Sequence, residues 1–106
     1  MMYHVTSNWD GKNLQPAAIR LGEEEAIQMF CEKWETQDAA YAGDQVWKIY
    51  LYATIEEARE HVSDFGGEIL EINDEWLDIF EDWTEGHAVL ATRNDIDVKD
   101  IIGIVG

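Results

Sequence analysis

Gln45-Val46-Trp47-Lys48-Ile49-Tyr50-Leu51-Tyr52-Ala53-Thr54-Ile55-Glu56-Glu57-Ala58 holds two periodicities in fourteen residues. From Gln45 to Ala53 the side chains alternate with period two, as in a strand. Val46, Lys48, Tyr50 and Tyr52 share one face, and Trp47, Ile49, Leu51 and Ala53 the other. Thr54 then begins a helix. A threonine followed three residues later by glutamate is a capping box, in which the threonine oxygen satisfies an orphan amide of the first turn. Ala58, Val62 and Phe65 give that helix an inward stripe, and Gly66-Gly67 ends it. A strand running directly into a capped helix points to an α+β or α/β domain.

Outward from this passage, the order of elements selects α+β. Met2 to Thr6 reads as a first strand. Ser7 to Asn13 is turn-rich, with Asn8, Asp10 and Gly11. Leu14 and Pro16, the single proline, lead into a short helical or irregular stretch that ends at Gly22. A helix is expected from about Glu23 to Glu35. Ala26, Ile27, Phe30, Cys31 and Trp34 form its apolar stripe, and three glutamates stand in its first turn. Thr36 to Asp44 reads as a polar loop with the greatest freedom in the chain. After Gly67 the pattern predicts a strand at Glu68–Asn73, a short helix at Asp74–Asp82 and a strand at His87–Thr92. A turn at Ile96–Asp100 and a closing strand at Ile101–Val105 complete it. The expected fold is one compact domain, residues 1–106, with a small mixed sheet of about five strands and two to four helices.

Composition narrows the function classes. Hydrophobic residues make up 46 % of the chain, enough for a true core. Trp34, Trp47, Trp76 and Trp83 are expected in it. Trp9, in the polar turn after the first strand, is the exception, placed to cover a cleft or a partner site. No apolar run approaches the roughly 20 residues of a membrane span, and no secretory signal is recognisable, so a cytoplasmic location is expected. Cys31 is the lone cysteine and is expected as a small core residue. His4, His61 and His87 lack ligand spacing, so no metal site is expected. Gly66-Gly67 lacks the lysine and further glycine of a phosphate loop.

The formal net charge is −16. Between Glu56 and Glu85 twelve carboxylates face Arg59 alone, a net of −11. Such a chain does not neutralise nucleic-acid phosphates and is not drawn to anionic membranes. A solvated surface, a basic protein partner and mimicry of nucleic-acid charge are the three readings of this acid.

His4 and Thr6 alternate with Tyr3 and Val5 along the first strand, which puts two polar groups on one face. Buried without partners they are costly, so a cleft wall and a satisfied core position are the two readings. Tyr50 and Tyr52 lie on one face of the next strand, and Glu85 stands just before the strand at His87. A histidine can bond a ribose hydroxyl and a tyrosine can stack on a base. A carboxylate can stabilise the positive charge that develops as a glycosidic bond breaks.

Several stretches resemble the ADP-ribosyltransferase fold, including its RNA 2′-phosphotransferase branch. They are Tyr3-His4-Val5-Thr6, Leu14-Gln15-Pro16, the Ile49–Ala58 passage, Gly67–Ile72, Ala88–Thr92 and Ile96–Ile101. The resemblance implies NAD or a related nucleotide as ligand, contacted by His4, Thr6, Tyr50 and Tyr52, with Glu85 as the catalytic glutamate. Arg20, Arg59 and Arg93 stand far apart, so the phosphate-binding arginines of the phosphotransferase branch have no evident counterpart. The competing expectation is a non-catalytic acidic protein that binds a basic partner or mimics nucleic-acid charge.

Overall fold

The structure, a computed structural model, describes residues 1–7, 9–84 and 87–105. It is an α+β arrangement of four helices and two three-stranded sheets. In chain order the elements are β1 (Met2–Thr6), α1 (Ala17–Leu21), α2 (Glu23–Lys33), α3 (Ala39–Gln45), β2 (Ile49–Leu51) and α4 (Ile55–Phe65). β3 (Glu68–Ile72), β4 (Ile79–Thr84), β5 (His87–Thr92), a 3-10 turn (Val98–Asp100) and β6 (Ile101–Val105) follow.

In place of one mixed sheet of about five strands, the chain forms two sheets of order β1-β3-β6 and β2-β5-β4. Every strand pairing within them is antiparallel. A single bridge joins the sheets: the Tyr3 amide donates to the Tyr52 carbonyl at 2.9 Å, and the Tyr52 amide returns the bond at 2.7 Å. The combined strand order is therefore β6-β3-β1-β2-β5-β4.

The core is aliphatic. Leu14, Ile49, Leu51, Leu70, Ile72, Ile96 and Ile101 are buried together, with Met2, Trp9, Leu77, Ile79 and Leu90 packed against them. A second cluster of Ala18, Ala26 and Val46 holds the first three helices to one another. Small alanines at these contacts let helix backbones approach closely. The Ala18 amide donating to the Val46 carbonyl ties α1 to the end of α3.

Four sequence expectations are corrected. The segment Asp74–Asp82 is not a helix. One turn forms, with the Leu77 amide on the Asp74 carbonyl, and the chain then extends as β4 along β5 from Ile79↔Thr92 to Thr84↔His87. Its spacing of Trp76, Leu77, Phe80 and Trp83 suits a helix, but the β5 edge supplies a partner for its backbone amides that sequence periodicity cannot show. The loop Thr36–Asp44 is mostly α3. Asp38 caps that helix, its carboxylate accepting from the Tyr41 amide at 3.0 Å. The strand Gln45–Ala53 shortens to Ile49–Leu51, because Gln45 and Val46 complete the end of α3. Lastly, the tryptophans do not build the core: Trp34, Trp47 and Trp76 are 37 %, 38 % and 81 % exposed. The side chain of Trp83 lies outside the described residues.

Other expectations hold closely. β1 and β6 have the expected bounds, and the Thr54 cap forms with its oxygen accepting from the Glu57 amide at 3.3 Å. Gly66 and Gly67 then turn the chain at φ 78° and 108°. A Cβ at Gly67 would stand 3.0 Å from the Thr6 carbonyl oxygen, in a backbone conformation already unfavourable to other residues. The glycine pair thus delivers β3 against β1.

Candidate functional site

β1 fixes the first candidate residue. Tyr3 uses both its peptide groups on Tyr52, so continuing the ladder would oppose Val5 to Tyr50. The strands separate there instead, and His4 Nδ1 lies 2.7 Å from the Tyr50 carbonyl oxygen. A carbonyl only accepts, so Nδ1 carries the proton and Nε2 is left as an acceptor. His4 is half-buried. Burial, more than anything else, holds its pKa below the ordinary imidazole value. The bond to Tyr50 opposes this, and the nearby charges of His61, Arg20 and Lys33 add to the lowering.

Residues directly opposite one another share a face of a sheet. Tyr3 faces Tyr52, so Tyr50 and Tyr52 share the Tyr3 face, while His4 and Thr6 share the other, opposite Leu70 and Glu68. The register therefore separates the His4–Thr6 pair from the two tyrosine side chains. Among the described residues the hydrogen bond of the His4 side chain to β2 is to the Tyr50 backbone. Glu85 lies outside the described residues.

Each tyrosine has another partner. The Tyr52 hydroxyl and His61 Nδ1 share a 2.6 Å hydrogen bond, so His61 is half-buried rather than free on its helix. Burial, and then the Glu57 charge, raises the Tyr52 pKa. Burial, and then the Lys33 charge, lowers that of His61, against the pull of Asp64. Their rings belong to a chain of aromatic contacts through Phe65, Trp34 and Phe30 to Tyr41. Tyr50 donates its hydroxyl to Asp82 Oδ2 at 3.3 Å. Burial and then the Asp82 charge push its pKa strongly upward, so the phenol keeps its proton.

Asp82 also belongs to a network that the sequence did not reveal. Lys48 is buried, and its Nζ lies 2.6 Å from Asp44 Oδ2 and 3.0 Å from Asp82 Oδ2. Arg93 reaches the other oxygen of Asp44 at 3.5 Å, and both cations lie near the Phe80 ring. Burial works against the charged lysine, but its two carboxylates outweigh it and the pKa rises. The hydrogen bond from Lys48 lowers that of Asp44. The group is internally satisfied: no buried side-chain nitrogen or oxygen among the described residues lacks a partner. It is a strut between α3, β2 and β4 rather than a reactive centre. Its one sequence trace is the Asp44–Lys48 spacing of four residues.

Elsewhere, a cleft of about 510 Å³ opens beside the loop after β1, with Trp9, Asp10, Lys12, Asn13, Gln15 and Arg20 on its walls. The loop is firmly tied. Trp9 Nε1 donates to the Lys12 carbonyl at 2.8 Å, and the Lys12 amide donates to Asp10 Oδ1 at 3.0 Å. Asn13 Oδ1 accepts from the Val98 amide at 2.8 Å. Leu14 and Ile96 exchange backbone bonds of 2.9 Å, and Gln15 reaches Asp95. Lys12 and Arg20 form no ion pair among the described residues, although acids outnumber bases 23 to 7 in the chain. His4, Thr6, Tyr50 and Tyr52 are not among the residues that line this cleft. Trp9 was the sequence signal for this cleft. Lys12 and Arg20 gave none.

Among the described residues no group of three or more histidines, cysteines or acids could hold a metal ion, and no helix is long and apolar enough to cross a membrane. No protein-family model, curated protein or solved structure matches this chain.

Proposed function

We propose that the chain binds a nucleotide-type ligand of the NAD class in the cleft beside β1, on an ADP-ribosyltransferase-like scaffold. One observation carries the reading: in a chain of net charge −16, two unpaired cations and an indole share the walls of a cleft of about 510 Å³. The chemistry suits the ligand. A pyrophosphate needs charged donors, which Lys12 and Arg20 supply. A planar ring needs an aromatic surface, which Trp9 supplies. Asp10 on the same wall opposes a dianion, so modest affinity is expected.

Calorimetric titration with NAD tests this. The wild-type chain is expected to bind in the millimolar range or tighter, and Arg20→Ala to weaken binding about tenfold by loss of a charge-assisted contact. His4 does not line the cleft, so His4→Ala is the control and should bind as the wild-type chain does. Absence of heat at millimolar NAD, or equal binding by Arg20→Ala, sinks the reading.

A second reading rests on a different observation. The ion pairs among the described residues reach only three carboxylates, Asp44, Asp74 and Asp82. The acids of α4, including Glu56, Glu57, Glu60 and Asp64, stand exposed and unpaired. This supports a surface that engages a basic protein partner. Partners captured at low salt and released at high salt are its expected sign.

A further inference from the structure

The combined strand order ends in two open edges, β4 and β6. Open edges invite pairing with other chains, and proteins blunt them with charge, proline or bulges. The two edges here are treated differently. β4 carries Glu81, which is exposed, and Asp82, held in the Lys48 network. β6 reads Ile101-Ile102-Gly103-Ile104-Val105, with no charge and no proline in a chain where 28 % of residues are charged, and its blunting is limited to a register shift opposite Glu71 and Ile72. Ile102 and Ile104 are 54 % and 57 % exposed. The register also settles where the backbone points. Tyr3 spends its peptide groups on Tyr52, so His4 directs its own toward Leu70, and Ile69 and Glu71 direct theirs toward β6. Val105 and Gly103 answer them. The peptide groups of Ile104 therefore face outward, and no described strand pairs with them; the register shifts between Glu71 and Ile72, so this alternation does not extend to Ile102.

We propose that β6 is the seam of a symmetric dimer, in which the β6 strands of two copies of this chain pair antiparallel and merge two three-stranded sheets into one. Charge decides for a second copy as the occupant. A two-fold axis near Gly103 sets Ile102 of each copy against Ile104 of the other, so no like charges meet along the strand. It also brings the Lys99–Asp100 end of one β6 to the Val105 end of the other. Arg59 and Glu68 flank that end, around a groove they share with Ile104 and Val105. Lys99 then approaches the partner's Glu68, and Asp100 the partner's Arg59. None of these four forms an ion pair within its own chain among the described residues.

Five-residue strands make a short seam, so association at tens to hundreds of micromolar is expected. Sedimentation equilibrium on the whole chain tests it at low and high salt. Two bodies of charge −16 repel, so the dimer strengthens as salt is added. A basic partner held by the acidic surface would weaken instead. Ile104→Lys sets a charge against the partner's Ile102 at two places in the seam and should weaken the dimer about tenfold or more. Circular dichroism checks that this variant folds, and Ile102→Lys is the alternative if it does not. Amide exchange at Ile104 should slow as protein concentration rises. A monomer at about 1 mM in both salts overturns the proposal. So does a dimer indifferent to both lysine variants, or one whose Ile104 amide exchanges at a concentration-independent rate.

Discussion

His4 shows how one side chain replaces a missing rung of a ladder. Where β1 and β2 part, its Nδ1–H takes the Tyr50 carbonyl that the Val5 amide would have met. The consequence is a pH dependence with a definite sign. Burial lowers the folded pKa of His4, and of His61, below the ordinary value near 6.5. As pH falls through that unfolded value the unfolded chain takes up protons that the folded chain refuses, so stability drops. Urea midpoints should therefore fall between pH 7.5 and 5.5. His4→Asn keeps an N–H but cannot titrate, and should shrink the fall; an undiminished fall would refute this role. Lys48 gives a second residue-scale contrast. Lys48→Met leaves Asp82 half-buried beside Tyr50 without its cation, at a cost of about 2–3 kcal/mol. Asp44 is 55 % exposed, so Asp44→Asn should cost less than about 1 kcal/mol. Denaturant titration separates the two.

At the scale of elements, legibility in the sequence followed the locality of the signal. Thr54 and Glu57 interact within one turn, and the helix they start was readable from four residues. Thr54→Ala should cost about 1 kcal/mol, measured by thermal unfolding followed at 222 nm. α3 carried an equally local signal, Asp38 before Ala39-Ala40, but its short run lacks an apolar stripe and contains Gly43, so it resembled a loop. β4 was unreadable for the opposite reason. Its residues have helical spacing, and only β5, several residues further on, decides that they extend. The cleft divides the same way. Trp9 stands out as an indole in a polar turn, whereas Lys12 and Arg20 become neighbours of one cleft only because Leu14 is anchored to Ile96, eighty-two residues along the chain.

Across the whole molecule, charge sets the conditions under which this fold is stable. Few acids are neutralised internally, and α4 carries its unpaired carboxylates on a helix packed on the β1–β3 sheet. Their mutual repulsion is relieved when the chain expands, so it favours unfolding. Raising sodium chloride from about 20 mM to about 200 mM shortens the screening length from roughly 20 Å to roughly 7 Å. Repulsion between exposed acids is then largely removed, while the buried Lys48 pairs are screened much less. The melting temperature should therefore rise by a few degrees over this range, a shift of about 1 kcal/mol for a domain of this size. Dilute protein must be used, so that dimerisation through β6 does not add its own stabilisation, and a repeat at tenfold lower concentration makes the separation. A melting temperature that falls with salt would mean that attractive pairs outweigh the acidic surface, which would contradict the charge balance argued for this fold.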